Sequence, residues 1–160
     1  MKAVANTAEF MANLLIERNG AGEFVSLLKT EQEALRDGAA ERLETLARDK
    51  LKMAQHLSAL AQQRARHLAA AGFSPDAQGM ESWIAAHPRN AGAAAAWRDL
   101  RRFAEEARAL NQANGALINL QLRHHQQMLT ALGIACGTPA LYGPHGQALP
   151  VSHARQLGAA

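Results

Sequence analysis

Long stretches of this chain repeat apolar residues by alternating steps of four and three, and each ends at residues that cannot continue a helix. From about Asn6 to Asp37, Phe10, Leu14, Ala21, Phe24, Leu28 and Leu35 fall on one seam, with Glu17 and Glu31 in its remaining positions. A heptad-like stripe of this kind predicts a helix lying along another helix at a shallow angle. Gly20 and Gly22 interrupt it, which implies either a bend or a close helix approach. Asp37-Gly38 stops it, Gly38 being suited to the left-handed position after a helix end. The link to the next seam is short, so the two helices must run antiparallel.

The second seam, from about Ala40 to Ala71, carries Leu43, Leu46, Met53, Leu57, Leu60 and Leu68. Its charges are mostly basic (Arg42, Arg48, Lys50, Lys52, Arg64, Arg66), whereas the first helix is rich in Glu. Exposed pairs between them are worth only about 0–1 kcal/mol each, so the complementarity mainly selects the pairing. Gly72 ends this helix and Phe73-Ser74-Pro75-Asp76 reads as a turn. Residues 78–86 suit a short helix that sets Trp83 on the bundle end, and His87-Pro88 breaks it. The small-residue run from Ala91 to Ala96 leads into a third long helix, about 95–133. At about 1.5 Å rise per residue it can outrun its partners, leaving apolar surface from Leu117 onward exposed unless another chain covers it.

Composition agrees with helices. Hydrophobic residues make up 48% of the chain but aromatics only 4%, and Ala, Leu, Gln, Glu and Arg dominate. Cys136 stands alone, so no internal disulfide forms and nothing asks for an oxidising compartment. No apolar run approaches the roughly 20 residues of a membrane span, and no signal-peptide pattern opens the chain. A cytoplasmic protein with no direct membrane insertion is expected. The net charge of +3 is spread among acidic residues instead of forming a stripe, which argues against a nucleic-acid partner.

Within the third helix, Leu110, Leu117, Ile118, Leu122, Met128, Leu129 and Leu132 recur at helical spacing straight through Asn114-Gly115, a pair that normally marks a turn. After Gly133 the periodicity ends, and Gly, Pro and a lone Tyr142 give a flexible tail over 135–160. Leu110-Asn111-Gln112 followed by Asn114-Gly115, the Gln-rich helix after them, and Leu141-Tyr142-Gly143 with Gly146-Gln147 together resemble the FlgN family of type III export chaperones of the bacterial flagellum. A weaker likeness around Glu31 to Leu35 and Lys50 extends over most of the chain.

The resemblance implies a chaperone that binds C-terminal helical segments of the hook-associated proteins and prevents their premature assembly. Asn111, Asn114, Gly115, Leu117, Ile118, Leu122, His125, Met128, Leu129 and Leu132 would then meet the client. Tyr142 and Gly143 would meet the cytoplasmic domain of the export gate, and a contact with the export ATPase complex stays open. Pro144-His145 stands where some relatives carry an acidic residue.

Several of these residues also have a plain structural role. Asn114 lies near the seam, where a buried Asn pairs with a polar partner and fixes register. The apolar residues from Leu117 could complete the chain's own core, and Tyr142 could fold back on the helices. The histidines show no pair four apart on a helix and no Glu-x-x-His, so neither a metal nor another cofactor is expected. His56 and His67 lack the neighbours of a phosphotransfer histidine, and no nucleophile triad or phosphate loop is present. The expectation is an all-α binding protein, not an enzyme: a long antiparallel hairpin plus a longer third helix, with residues 1–134 as the bundle. The alternative is a coiled-coil adaptor that self-associates through the same apolar seam.

Overall fold

The computed structural model describes residues 2–135, with side-chain surroundings defined from Thr7 to Gly133. The described residues form four helices and no strand: α1 (Lys2–Asp37), α2 (Ala40–Ala70), α3 (Ala77–Ala86) and α4 (Ala91–Ala135). The fold is the expected antiparallel hairpin, α1 and α2, packing against a longer helix, with a short helix in the connection. Two boundaries differ. Helix α1 begins at Lys2, and the alanine run 91–96 is not a lead-in but the first turns of α4. Alanine has the highest helix propensity, and Ala93 and Ala96 are fully buried, where short side chains let α4 come close.

The turns follow their glycines. Gly38 takes φ 67° and Gly72 φ 83°, the left-handed values that end a helix without a Cβ penalty. Beyond Gly72, the Phe73 N–H donates to the Leu68 carbonyl at 2.9 Å and closes the end of α2. Helix α3 is capped by Asp76, whose Oδ1 accepts from the Gly79 N–H at 2.8 Å. That backbone bond holds the Asp76 carboxyl below its ordinary value.

The hairpin seam reads from both helices. On α1 the buried residues are Phe10, Leu14, Glu17, Ala21, Val25, Leu28, Glu31, Ala34 and Leu35. Val25 thus takes the interior place expected of Phe24, which is half-buried. Across from them on α2, Leu43, Leu46, Lys50, Met53, Leu57 and Arg64 are half-buried, and Leu60 and Leu68 are buried. Two charged rungs cross this seam. Arg64 grips Glu17 through Nε and Nη2 at 2.9 and 3.2 Å, and Lys50 Nζ reaches Glu31 Oε1 at 2.6 Å. The rungs are two heptads apart on each helix.

Gly20 and Gly22 produce no break in α1. They serve close approach instead: a Cβ on Gly20 would lie 3.2 Å from Leu57 Cδ2, and one on Gly22 3.4 Å from the Phe103 ring. The main core gathers Phe10, Leu14, Leu68, Met80, Trp83, Ala93, Ala96, Trp97 and Leu100 from all four helices. Each large side chain fully buried there contributes roughly 1.5–3 kcal/mol. Trp83 sits as expected, edge-on to Phe10 at 4.6 Å and stacked on His87 at 4.3 Å. His87 Nδ1 lies 2.7 Å from the Trp83 carbonyl, which fixes the ring at the helix end.

Candidate partner-binding surface

The residues singled out on α4 divide into two environments. The described residues divide into two compact units, one ending at Ile118 and the other beginning at Asn119. Asn111, Asn114, Gly115, Leu117 and Ile118 belong to the first; Leu122, His125, Met128, Leu129 and Leu132 belong to the second.

In the first unit, Asn114 is 1% exposed. Its Nδ2 donates to the Leu28 carbonyl at 2.9 Å and to Glu31 Oε2 at 2.8 Å. Glu31 therefore holds Lys50 of α2 with one oxygen and Asn114 of α4 with the other, joining three helices at one buried carboxylate. As folded, Asn114 presents no surface to a client; it acts within the chain, as a buried polar seam residue does. Lys29 and Glu106 add an exposed ion pair at 2.8 Å on the same side of the helix pair. The Asn-Gly pair is accommodated in mid-helix because the asparagine's Nδ2 makes two tertiary bonds, although its buried Oδ1 finds no partner among the described residues. Gly115 is not a point of close approach within the unit, since an added Cβ would meet nothing within 4 Å. Asn111 is exposed and Leu117 half-buried, while Ile118 is 38% exposed.

In the second unit no residue from Asn119 to Gly133 is buried. Leu122, Met128, Leu129 and Leu132 are 50–68% exposed, and Leu120, which the spacing alone did not single out, is 57% exposed. His125 is exposed as well. Leu122, His125, Leu129 and Leu132 continue the alternation of three and four, so one helical face carries them. Arg123 is the only Asp, Glu, Lys or Arg between Asn119 and Gly133. The result is a nearly uncharged apolar helix face with no cover among the described residues, larger than the scattered single hydrophobics of an ordinary surface.

Chemistry of other kinds finds little support here. Among the described residues no group of three His, Cys, Asp or Glu could hold a metal ion. His124 and His125 lie ring to ring at 6.4 Å, tilted, with no third donor. No described helix is long and apolar enough to cross a membrane. Tyr142 and Gly143, expected to meet the export gate, lie outside the described residues.

Comparison with known proteins gives one positive finding. A family model described as FlgN protein matches residues 1–150. No curated protein and no solved structure matches the chain. The helical hairpin, the uninterrupted Asn114-Gly115 helix and a match over nearly the whole length lead to one conclusion: the chain belongs to the FlgN family, the flagellar export chaperones.

Proposed function

We propose that this chaperone holds hook-associated proteins of the hook–filament junction before secretion, keeps them from assembling early and delivers them to the type III export gate. The observation that supports it most is the row of half- to two-thirds-exposed large apolar side chains on α4, Leu122, Met128, Leu129 and Leu132. Holding requires no bond to be made or broken. A terminal segment of the client becomes helical as it lies on this face, burying its own apolar stripe against that of α4. Met128 adapts the surface to different clients, since its thioether side chain is flexible and polarisable. With almost no charge on the face, specificity rests on shape. Tyr142 and Gly143 would then present the loaded complex to the cytoplasmic domain of the gate, a role drawn from the resemblance of the tail.

The magnitude is modest. Completing the burial of four such side chains is worth on the order of 1–2 kcal/mol each. Ordering a client segment costs about 2–5 kcal/mol. Alone, this face supports an affinity weaker than micromolar, which corresponds to about 8 kcal/mol.

Calorimetric titration of the intact protein with a purified hook-associated protein tests the reading. Leu122→Asp and Leu129→Asp should weaken binding strongly while far-ultraviolet helicity and melting temperature hold. Parallel loss of fold would assign those residues to the chain's own core. A dimer mass without client, abolished by Leu129→Asp, would assign the face to self-association. Tyr142→Ala should leave client affinity unchanged and lose capture by the gate's cytoplasmic domain.

A further inference from the structure

A second apolar surface lies wholly within the first unit. Helix α4 reaches α1 through Phe103, which packs at Gly22, and α1 meets α2 along the hairpin seam. Where α2 and α4 face each other across α1, their side chains are too short to meet: Ala54, Ser58 and Ala61 on one wall, Ala104 and Ala107 on the other. The result is an open groove of about 410 Å³ whose floor and sides include Phe24, Leu57, Leu100 and Phe103. The volume matches two or three large side chains, and the lining is almost entirely carbon. The α2 wall brings no charged residue, and α1 brings only Glu17, whose carboxylate is held by Arg64; just outside the groove, past Ala104, the neighbouring row of α4 carries Arg101 and Arg108, with Glu105 between them. Arg101 also pairs with Glu81 at 2.9 Å, both half-exposed.

We infer that this groove is a second seat for the client, taken by an amphipathic helix that inserts large aliphatic side chains between α2 and α4 and sets carboxylates against Arg101 and Arg108. The inference rests on the client-holding function proposed above and supplies the surface that the α4 face lacks for a tight complex. A fourth helix here would complete a four-helix arrangement, in which small residues on two walls allow close approach of the incoming backbone. The rim charge selects the occupant. The uncovered α4 face of a second copy would bring Arg123 as its one fully charged side chain and place arginine against arginine. A foreign helix that carries acidic residues two turns apart meets opposite charge at Arg108 and competes with Glu81 for Arg101.

Filling the groove from its own walls tests this. Ser58→Leu and Ala104→Leu, each in the full chain, should weaken binding of a purified hook-associated protein at least tenfold at unchanged helicity and melting temperature. Arg108→Glu should weaken it severalfold, with a shallower salt dependence. Should either filled variant fold poorly, a photoreactive side chain at exposed Ser58 of the otherwise unaltered protein gives an independent reading, and a crosslink to the client is expected. The inference is overturned if affinities stay within twofold and Ser58 gives no client crosslink; loss of binding in Leu129→Asp alone would then leave the holding function standing. A Ser58 crosslink to a second copy also overturns it. If the unaltered protein binds no hook-associated protein, both proposals fall together.

Discussion

Replacing Arg64 by Met should cost the fold about 3 kcal/mol, while replacing Glu17 and Arg64 together should cost less than about 1 kcal/mol. The two side chains face each other across the hairpin, 16% and 6% exposed, with both carboxylate oxygens bound by the guanidinium. Removing the cation leaves a buried carboxylate without its partner, a change worth about 3–5 kcal/mol in comparable settings. The lower end applies because a polar recess lined by Glu9, Asn13, Gln63, Arg64 and His67 opens beside it and can admit water. Arg64 also lies over the Trp97 ring at 4.9 Å, and that contact is lost in either variant. Glu17→Met alone should cost less than Arg64→Met, because the long arginine can carry its charge outward to water. For a chain of this size 3 kcal/mol corresponds to a fall of roughly 6–12 °C in melting temperature. Urea unfolding followed at 222 nm for wild type, both single variants and the double variant gives the coupling energy directly. A double variant as unstable as the sum of the singles would refute the argument, because zero coupling would mean that the cost of losing either side chain does not depend on the other.

Three further outcomes follow from the geometry. Asn114→Leu should destabilise by about 1–2 kcal/mol in the same unfolding assay, since it takes the donor from one buried Glu31 oxygen and a second donor from the Leu28 carbonyl, partly offset by removal of the unpartnered Asn114 Oδ1. Gly115→Ala should raise the melting temperature, by about 1 kcal/mol of stability, because the helix gains an alanine and the new Cβ meets nothing; unchanged client affinity in that variant would remove Gly115 from the binding surface. Stability should also fall as pH drops below the ordinary imidazole range. His67 stacks on Phe10 at 4.0 Å, and burial lowers its pKa against the pull of Glu9, with nearby His87 adding to the depression. A depressed histidine contributes its stability above the unfolded value and loses it as pH descends toward the folded one. His67→Phe should flatten that part of a melting-temperature profile between pH 7.5 and 5.

The sequence made most of the fold readable because its apolar spacing, its two left-handed glycines and its short first link each permit few arrangements. Val25 could not be preferred to Phe24 from spacing, since the two lie on neighbouring rows of α1 and only their burial in the folded chain separates them. The role of Asn114 was legible as one of two possibilities, and the position of Glu31 across the helix interface chose the interior one. The exposed α4 residues were legible as apolar but not as uncovered, because a periodic stripe looks the same in a core and on a surface. The groove between α2 and α4 left no signal in any single helix. It arises from alanines on two helices that come to face each other, and such a coincidence is visible only in three dimensions.

The two charged rungs of the hairpin bear on how it avoids error while folding. A seam of leucines repeating every seven residues accepts a partner displaced by seven almost as well as the correct one, and the short link at Gly38 can unwind to allow the shift. Moved one way, Glu17 would face Leu57, Glu31 would face Leu43 and Arg64 would face Phe10; moved the other, Glu31 would face Leu57 and Arg64 would face Phe24. Each misplaced ion then loses its partner in an apolar interior at a cost of several kcal/mol. The rungs add little to the correct hairpin, yet they raise its displaced neighbours far above it, and so turn a nearly degenerate set of pairings into one well-separated minimum.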